Sequence, residues 1–600
     1  MPEPDRIALG GLRRGPALLL ILGLLCAWLT PTRGAHDLNL LPEAGLLLAA
    51  GLASLMAGWL GDRRLATAPA VGSAGVPWSA LFVACWLLPW LAWSAWERRE
   101  LYPELLWPPM LGLLGGVLVT LWAGRRKWML AASEDRAYQG ALLLGGLATA
   151  GIVLLQKWHW PLWPGIVLMP PDGYPPFANL MQRNLAALLM VCTLSVASHA
   201  FLSMQRPAVW RDAGCLIVAL CCTIAIAWTE SRAGLLLSLA ALLLIGLLQP
   251  PRADSVLRQR WLLLLAVTLL GPALTALQPA AVAPSSTERL MAGEGLAMRA
   301  QIMWHGLQQW REQPWFGGGW GSHPGWLHQH AEQLAWPRYS THTHNLLTQL
   351  LAETGLIGTL PLLLVGLRTL WRHGRDPARH QDPAAPLHAT LVGVLLLHSL
   401  FEYPLWNSFF WLPFCWSFAR LARLTPDRGL GSDRSLNLLL IAGGVLLTGL
   451  TLWASARLLA AIDYRYAAQA AYRSGAVLPR PPQIDAFTAD VVAQADPVLR
   501  QDQAAQRRLT GERLVQVAPM DWVIERLAVD QALSGDAAAS TRSWVRLCAM
   551  YPHRCPEARV RLGRLAAALP LFAPIADAVA QQLRQRPAAA YDLRFSPGAD

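Results

Sequence analysis

Apolar residues fill thirteen stretches of the chain almost without interruption, at 15–32, 42–60, 78–96, 105–122, 138–156, 184–203, 213–229, 232–249, 261–279, 346–367, 386–403, 404–422 and 436–458. Each comes close to the roughly 17 to 25 residues that a helix needs to cross the hydrocarbon core of a bilayer. A backbone in lipid has to satisfy its own hydrogen bonds, so every stretch predicts a helix, about 13 in all. Two regions break the rhythm. Residues 280–345 are too long for a turn and predict a folded loop over the membrane surface. After residue 459, "YRYAAQAAYRSG", "PVLRQDQAAQRRL" and "EARVRLGRLAAAL" carry Ala and Leu at helical spacing.

The pattern predicts an all-α polytopic membrane protein in four parts. Transmembrane helices occupy 1–279 and 346–458, a large loop occupies 280–345, and a soluble helical region occupies 459–600. The short helices of that last region resemble tetratricopeptide-type pairs, although no strict 34-residue period runs through it. Residues 587–600 read as a loose end. Composition agrees: across 600 residues, 54% are hydrophobic and 15% charged, with a mean hydropathy of +0.32, outside the range of a soluble multidomain protein.

Charge sets orientation. With Arg13 and Arg14 placed inside the cell, the alternate loops bring Arg63, Arg64, Arg125, Arg126, Lys127, Arg206, Arg211, Arg252, Arg258, Arg260 and Arg420 to the same side, as the positive-inside rule requires. An odd number of spans then leaves 280–345 and 459–600 outside. The first stretch also has the character of a signal peptide, a basic segment followed by "GPALLLILGLLCAWLTP", but its removal would disturb this charge pattern. The formal charge of +12 is nearly all arginine, Lys127 and Lys157 being the only lysines, and gives no reason to invoke nucleic acid. Seven of nine cysteines lie in apolar stretches; Cys548 and Cys555 stand in the tail, where an oxidising compartment would let them pair.

The polar residues near the outer boundary narrow the chemistry. His342 and His344 stand where the tenth helix begins, and Thr343, His344 or Asn345 can cap it. An imidazole there could take the proton of a hydroxyl nucleophile, or the cluster could be a cap without chemistry; two ligands at i, i+2 diverge and make a poor metal site. Arg232 interrupts two apolar runs, which a charge tolerates only against a polar cavity. Glu353 falls about 13 Å along a helix from His344 at 1.5 Å per residue. His398 and Glu402 share a helix face by their spacing. Glu97, Glu100 and Glu104 in "ERRELYPE" read as self-paired with Arg98 and Arg99. Among the 29 tryptophans, Trp304, Trp310, Trp315, Trp320, Trp326 and Trp336 lie in the large loop, as an interfacial belt, as faces for sugar rings, or both.

"HNLLTQLLAETGLIG" places His344, Asn345, Gly355 and Gly358 in a spacing that resembles the O-antigen ligase and polymerase superfamily of membrane glycan-transfer enzymes. Further segments resemble it too: "TESRAGLL" with Arg232, "GLAMRAQIMWHGLQQWREQPWFGGGWGSHPGW" with Arg299, Trp304, Pro314 and Gly317 to Gly321, and "PPFANLMQRNLAALLM" with Gln182, Arg183 and Asn184. In many relatives a His follows that Asn; Leu185 stands here. "HSLFEYPLWNSFFWLPF", with Glu402 and Tyr403, followed by a soluble tail, looks most like the protein O-oligosaccharyltransferases of the PglL type. The recognisable motifs cover roughly residues 160–420.

The resemblance implies a GT-C-like membrane fold in a bacterial inner membrane, with a cytoplasmic N-terminus and a periplasmic active site and tail. It implies a glycan carried on undecaprenyl pyrophosphate, moved to Ser or Thr of an exported, pilin-like acceptor protein. Its residues would be His344 as general base and Arg232 and Arg299 on the pyrophosphate. Arg183, Asn184, Arg289, His342, Asn345, Trp304, Trp320, Glu402 and Tyr403 would bind substrate, with no metal and no cofactor. An O-antigen ligase, a polymerase and a non-catalytic flippase of lipid-linked glycans are the alternatives.

Overall fold

The computed structural model describes residues 15–31, 40–65, 75–97, 101–125, 131–160, 165–171, 174–203, 208–249, 255–276, 294–375, 382–423, 429–430, 433–482, 485–498 and 501–585. Arg289, Arg98, Arg99 and Glu100 lie outside them, as does the segment 587–600. The chain is helical throughout: α1 (Gly15–Leu29), α2 (Leu40–Leu65), α3 (Trp78–Cys85), α4 (Leu88–Glu97), α5 (Trp107–Ala123), α6 (Ala131–Lys157), α7 (Arg183–Leu202), α8 (Val209–Trp228), α9 (Arg232–Leu248), α10 (Ser255–Ala276), α11 (Glu294–Glu312), α12 (His323–His330), α13 (Leu346–Arg375), α14 (Ala385–His398), α15 (Ser408–Ala422) and α16 (Asp433–Ser474). The tail adds α17 (Ala486–Gln494), α18 (Ala504–Leu514), α19 (Asp521–Leu533), α20 (Ala537–Met550), α21 (Cys555–Ala568) and α22 (Ala573–Gln585). Among the described residues the strand content is one antiparallel pair, Val76–Pro77 with Gly429–Leu430.

Every apolar stretch meets a helix. Nine fall in helices long and apolar enough to cross a membrane, among the described residues. Those at 15–32, 232–249, 386–403 and 404–422 form helices of 15, 17, 14 and 15 residues. The last stretch was expected to end near residue 458, yet α16 continues to Ser474, because Ala and Leu keep their helical spacing after charged residues have ended the apolar run. This is an all-α, multi-pass membrane protein.

The chain forms two compact units. The first comprises Met1–Leu88, Pro108–Glu294 and Leu360–Ser455; the second comprises Pro89–Trp107, Gly295–Thr359 and Ala456–Asp600.

The first unit is a helical bundle built around α7. That helix is apolar on all sides and almost wholly buried, as a helix without a polar face must be. α10 at the periphery exposes Leu262, Leu263, Leu269 and Leu270, the surface expected of a helix that meets lipid. A buried ionic node ties α6, α14 and α15 together. Arg420 Nη2 lies 3.2 Å from Glu134 Oε2 and its Nε 2.9 Å from Asp135 Oδ1, while Trp122 Nε1 donates to Glu134 at 3.0 Å. His388 Nε2 of α14 lies 3.5 Å from the same Asp135 oxygen. Charges inside such a bundle persist only when paired in this way.

The second unit gathers the large loop, the segment around α4 and the tail on one hydrophobic core, with Tyr102, Leu327, Leu514, Ile524, Trp544 and Phe572 among its buried residues. Cys548 and Cys555 form a disulfide that joins the end of α20 to the start of α21. Glu104 was expected to pair within its own loop; instead its carboxylate accepts from Phe487 N–H at 2.7 Å, and Tyr102 Oη donates to Asp490 at 2.7 Å. Both bonds fasten the loop to α17.

Candidate functional site

The expected site residues fall into two sets, one in each unit. In the bundle, Arg183 and Arg232 are the first residues of α7 and α9. Each follows the same local device: a left-handed residue, then a capping position, then the helix. Met181 has φ +54° and Glu230 has φ +55°, conformations that cost a non-glycine residue roughly 1–3 kcal/mol and gather where function demands them. Ser231 caps α9, its Oγ accepting from Gly234 N–H at 3.0 Å.

A chain of side-chain hydrogen bonds joins these two helix starts. Ser231 Oγ donates to Asn184 Oδ1 at 2.7 Å, Asn184 Nδ2 donates to Glu402 Oε1 at 2.7 Å, and Gln182 Nε2 approaches Glu402 Oε2 at 3.4 Å. Asn184, Ser231 and Glu402 are buried, so the carboxylate, as the terminal acceptor, fixes every donor in the row. The consequence is two adjacent helix N-termini, each beginning with a half-buried arginine. Helix starts carry unsatisfied N–H groups and the positive end of the macrodipole, and with two guanidinium groups they form a ready receptor for an anion.

Glu402 reaches this position differently from the sequence expectation. α14 closes at His398, and Glu402 lies in the turn beyond it, its N–H donating to His398 O at 3.0 Å. Its side chain is therefore committed to Asn184 across the bundle. Tyr403 stands next to it, half-buried.

In the second unit, His344 is itself the left-handed residue, with φ +54°, and Asn345 caps α13, its Oδ1 accepting from Thr348 N–H at 3.0 Å. Thr343 locks the turn: its N–H donates to Gln349 Oε1 at 2.6 Å and its Oγ1 to Asn345 O at 3.0 Å. The reversal at His344 brings the rings of His342 and His344 to a centroid separation of 4.4 Å, edge to face, where divergence was expected from helical spacing. α11 passes directly beneath: a Cβ at Gly306 would lie 2.6 Å from Thr343 Cγ2, so only glycine allows the approach. Arg299 occupies an early turn of the same helix.

The glycine-rich segment after α11 and the glycines of α13 belong to one construction. Gly355 breaks α13 at φ +62°, and a Cβ there would sit 2.3 Å from Trp315 O. Leu356 and Ile357 then donate to Pro314 O and Trp315 O at 2.9 and 3.1 Å, while Gly318 N–H donates to Ala352 O at 2.8 Å. Glu353 accepts from Gly321 N–H at 2.9 Å, which assigns it to holding this segment. Of the two tryptophans expected to bind sugar, Trp304 is exposed with the Arg311 guanidinium 4.7 Å from its ring. Trp320 is buried, which removes it as a surface platform. Among the described residues no three His, Cys, Asp or Glu side chains are grouped to hold a metal ion.

Sequence reasoning missed three residues of this region. His305 and Gln309 lie with Gln301 on one stripe of α11, four residues apart, a signal visible in the sequence once the segment is taken as a helix. His323, at the start of α12, has no local signal.

Two protein families match the chain. One, described as O-antigen ligase, matches residues 216–363; the other, described as the C-terminal part of virulence factor membrane-bound polymerases, matches residues 387–562. The first span holds Arg232, Arg299, His342 and His344, and the second holds Glu402 and Tyr403. No curated protein matches the chain. By these two matches, which together cover more than half of its length, the chain belongs to the O-antigen ligase and polymerase superfamily.

Proposed function

We propose that the chain is a membrane glycosyltransferase that moves an oligosaccharide en bloc from undecaprenyl pyrophosphate to Ser or Thr hydroxyls of an exported, pilin-like protein. The observation that carries the reading is the pair of adjacent helix N-termini led by Arg183 and Arg232. A glycosyl pyrophosphate departs as an anion, so the reaction asks for fixed positive charge more than for a proton donor. Arg299 on α11 supplies a further guanidinium, and Arg289 is assigned to the same task.

His344 is the general base. The acceptor hydroxyl gives its proton to the imidazole as its oxygen forms a bond to the anomeric carbon. The bond from that carbon to the pyrophosphate oxygen breaks, and the electron pair leaves on the pyrophosphate. One direct displacement inverts the anomeric centre. His342 beside the base and the exposed face of Trp304 serve the acceptor and the sugar, and turnover in the presence of a chelator is expected to persist. The arginine distribution and the Cys548–Cys555 disulfide support an inner-membrane protein whose N-terminus is cytoplasmic and whose tail and active site are periplasmic.

The family described as O-antigen ligase favours a second reading in which the acceptor is a lipid A-core sugar. One experiment separates the two. A cell without its own ligases is supplied with a lipid-linked glycan, a pilin, and either the native chain or its His344→Ala variant, and pilin and lipopolysaccharide are probed in parallel. Glycosylated pilin from the native chain, falling about 10²- to 10⁴-fold in an equally abundant variant, is the expected result. Glycan on lipopolysaccharide alone makes the chain a ligase, and undiminished transfer by the variant removes His344 as base.

A further inference from the structure

On α11 and at the start of α12, near the turn that presents His344, His305 and His323 are buried imidazoles whose protonation is legible from their partners. Gln309 Nε2 donates to Ser322 Oγ at 2.8 Å and lies 3.5 Å from Ala352 O, which leaves its Oε1 facing His323 Nδ1 at 2.9 Å. An amide oxygen only accepts, so His323 carries its proton on Nδ1 and its Nε2 is a bare lone pair. That Nε2 is buried and meets no donor among the described residues. On His305, Gln301 Nε2 donates to the ring Nε2 at 3.2 Å, which puts this ring's proton on Nδ1, again buried and unmatched among the described residues.

Both rings are fully enclosed, at 0% exposure, and an unsatisfied buried polar atom costs about 1–3 kcal/mol. An apolar side chain would fill either place without that cost. The charges of His305 and His344 both bear on His323. Gly306, the neighbour of His305, touches the Thr343 turn that presents His344. The segments packed here also carry Arg299, Arg311 and Glu312 on α11, His328 and His330 on α12, His342 beside His344, and Glu353, engaged with Gly321 N–H.

We propose that His323 is a positioning residue for His344, its Nε2 accepting a hydrogen bond from the His344 ring during turnover. That bond fixes which His344 nitrogen faces the acceptor hydroxyl and steadies the imidazolium that forms when the proton arrives. Burial holds the His323 imidazole well below its ordinary range, at about 3, and that of His305 at about 4, so both stay neutral and do not repel the new charge. The inference rests on the reading of His344 as the base.

Two substitutions separate positioning from packing. His323→Asn keeps a donor near the Nδ1 position for Gln309 and deletes the Nε2 acceptor; His323→Gln keeps an acceptor near Nε2 and gives up the donor. With the full chain in membranes, His323→Asn is expected to lower kcat about 10- to 100-fold with the KM for the lipid-linked donor unchanged. Losing the bond removes an acceptor that favours the protonated ring, so the acid limb of the pH–rate profile is expected to move to lower pH. His323→Gln is expected to keep more activity than His323→Asn. Native kcat and an unmoved limb in His323→Asn, with His344→Ala inactive, overturn this inference alone. The reverse order of the two variants, following their thermal stability, makes His323 structural. An active His344→Ala removes the base reading and this inference with it.

Discussion

At the starts of α7 and α9 an arginine follows a left-handed residue and a capping position, whereas at the start of α13 the left-handed residue is the histidine itself. The backbone device is shared, but the electrostatics are opposed. In the bundle a buried carboxylate, Glu402, orders Asn184 and through it Ser231, so permanent charge is arranged and held. In the loop-and-tail unit His305 and His323, close to the His344 turn, are imidazoles that burial keeps neutral. One region is built to hold charge at all times. The imidazoles of the other take up charge only when a proton is delivered, and the two demands match the leaving anion and the attacking hydroxyl of the proposed reaction.

The largest expected effect tests the neutral half by acidification. His305, His323 and His328 are held at about 4, 3 and 3, chiefly by burial, whereas histidines of an unfolded chain titrate at about 6.5. Their folded pKa values are depressed, so the unfolded chain takes up protons first. The stabilising contribution is complete above about pH 6.5 and is lost as the pH falls toward the folded values. At pH 5 the loss is about 2 kcal/mol for each histidine at 1.36 kcal/mol per unit, a large share of a typical stability of about 5–15 kcal/mol. The melting temperature of the loop-and-tail unit, followed by tryptophan fluorescence and by proteolysis within 501–585, is expected to drop steeply between pH 7 and pH 5. A flat profile would break the contrast, because the imidazoles would then already be solvated.

The next test disturbs the charged half. Glu402→Gln replaces an acceptor of two donors by a group that keeps one acceptor and adds a donor, so Asn184 or Gln182 loses its partner. Transfer is expected to fall about 100-fold, equal to about 2.7 kcal/mol at 1.36 kcal/mol per tenfold, within the range for hydrogen bonds to a charged group. The acid limb of its pH–rate profile is expected to stay in place, unlike that of His323→Asn. A limb that moved in Glu402→Gln would mean that the carboxylate takes part in proton transfer.

The contrast also explains how far the sequence was legible. Apolar stretches report burial in lipid directly, so each of the thirteen located a helix, and the family's motifs pointed to Arg232, Arg299 and His344 from the sequence alone. Helix ends were less visible, since α16 outruns its apolar segment by sixteen residues, from 458 to 474. The break at Gly355 depends on Trp315 and Pro314, forty residues earlier in the chain. Glu402 was placed on a helix face by spacing, yet its partner is Asn184, and no local pattern carries that pairing. Trp320 looked like a sugar platform by composition and proved to be interior. His323 was passed over because a buried, neutral histidine is marked by its surroundings rather than by its neighbours in sequence.

The smallest expected effect isolates the cap that the bundle's two helix starts share. Ser231 Oγ both accepts from Gly234 N–H and donates to Asn184 Oδ1, so Ser231→Ala leaves one backbone donor at the start of α9 and one amide oxygen without their partners. Loss of a serine cap costs about 1 kcal/mol, and if that energy is what holds Arg232 in place, donor binding weakens about fivefold at 1.36 kcal/mol per tenfold. Ser231→Thr keeps a hydroxyl at the same position and is expected to stay near native. The measurement is the KM for the lipid-linked donor, with kcat and the pH profile as controls. A raised KM in Ser231→Ala alone ties the arginine's position to the cap. Equal KM values in both variants would mean that Arg232 is held by the helix itself, and that the Glu402–Asn184–Ser231 row serves the bundle rather than the anion.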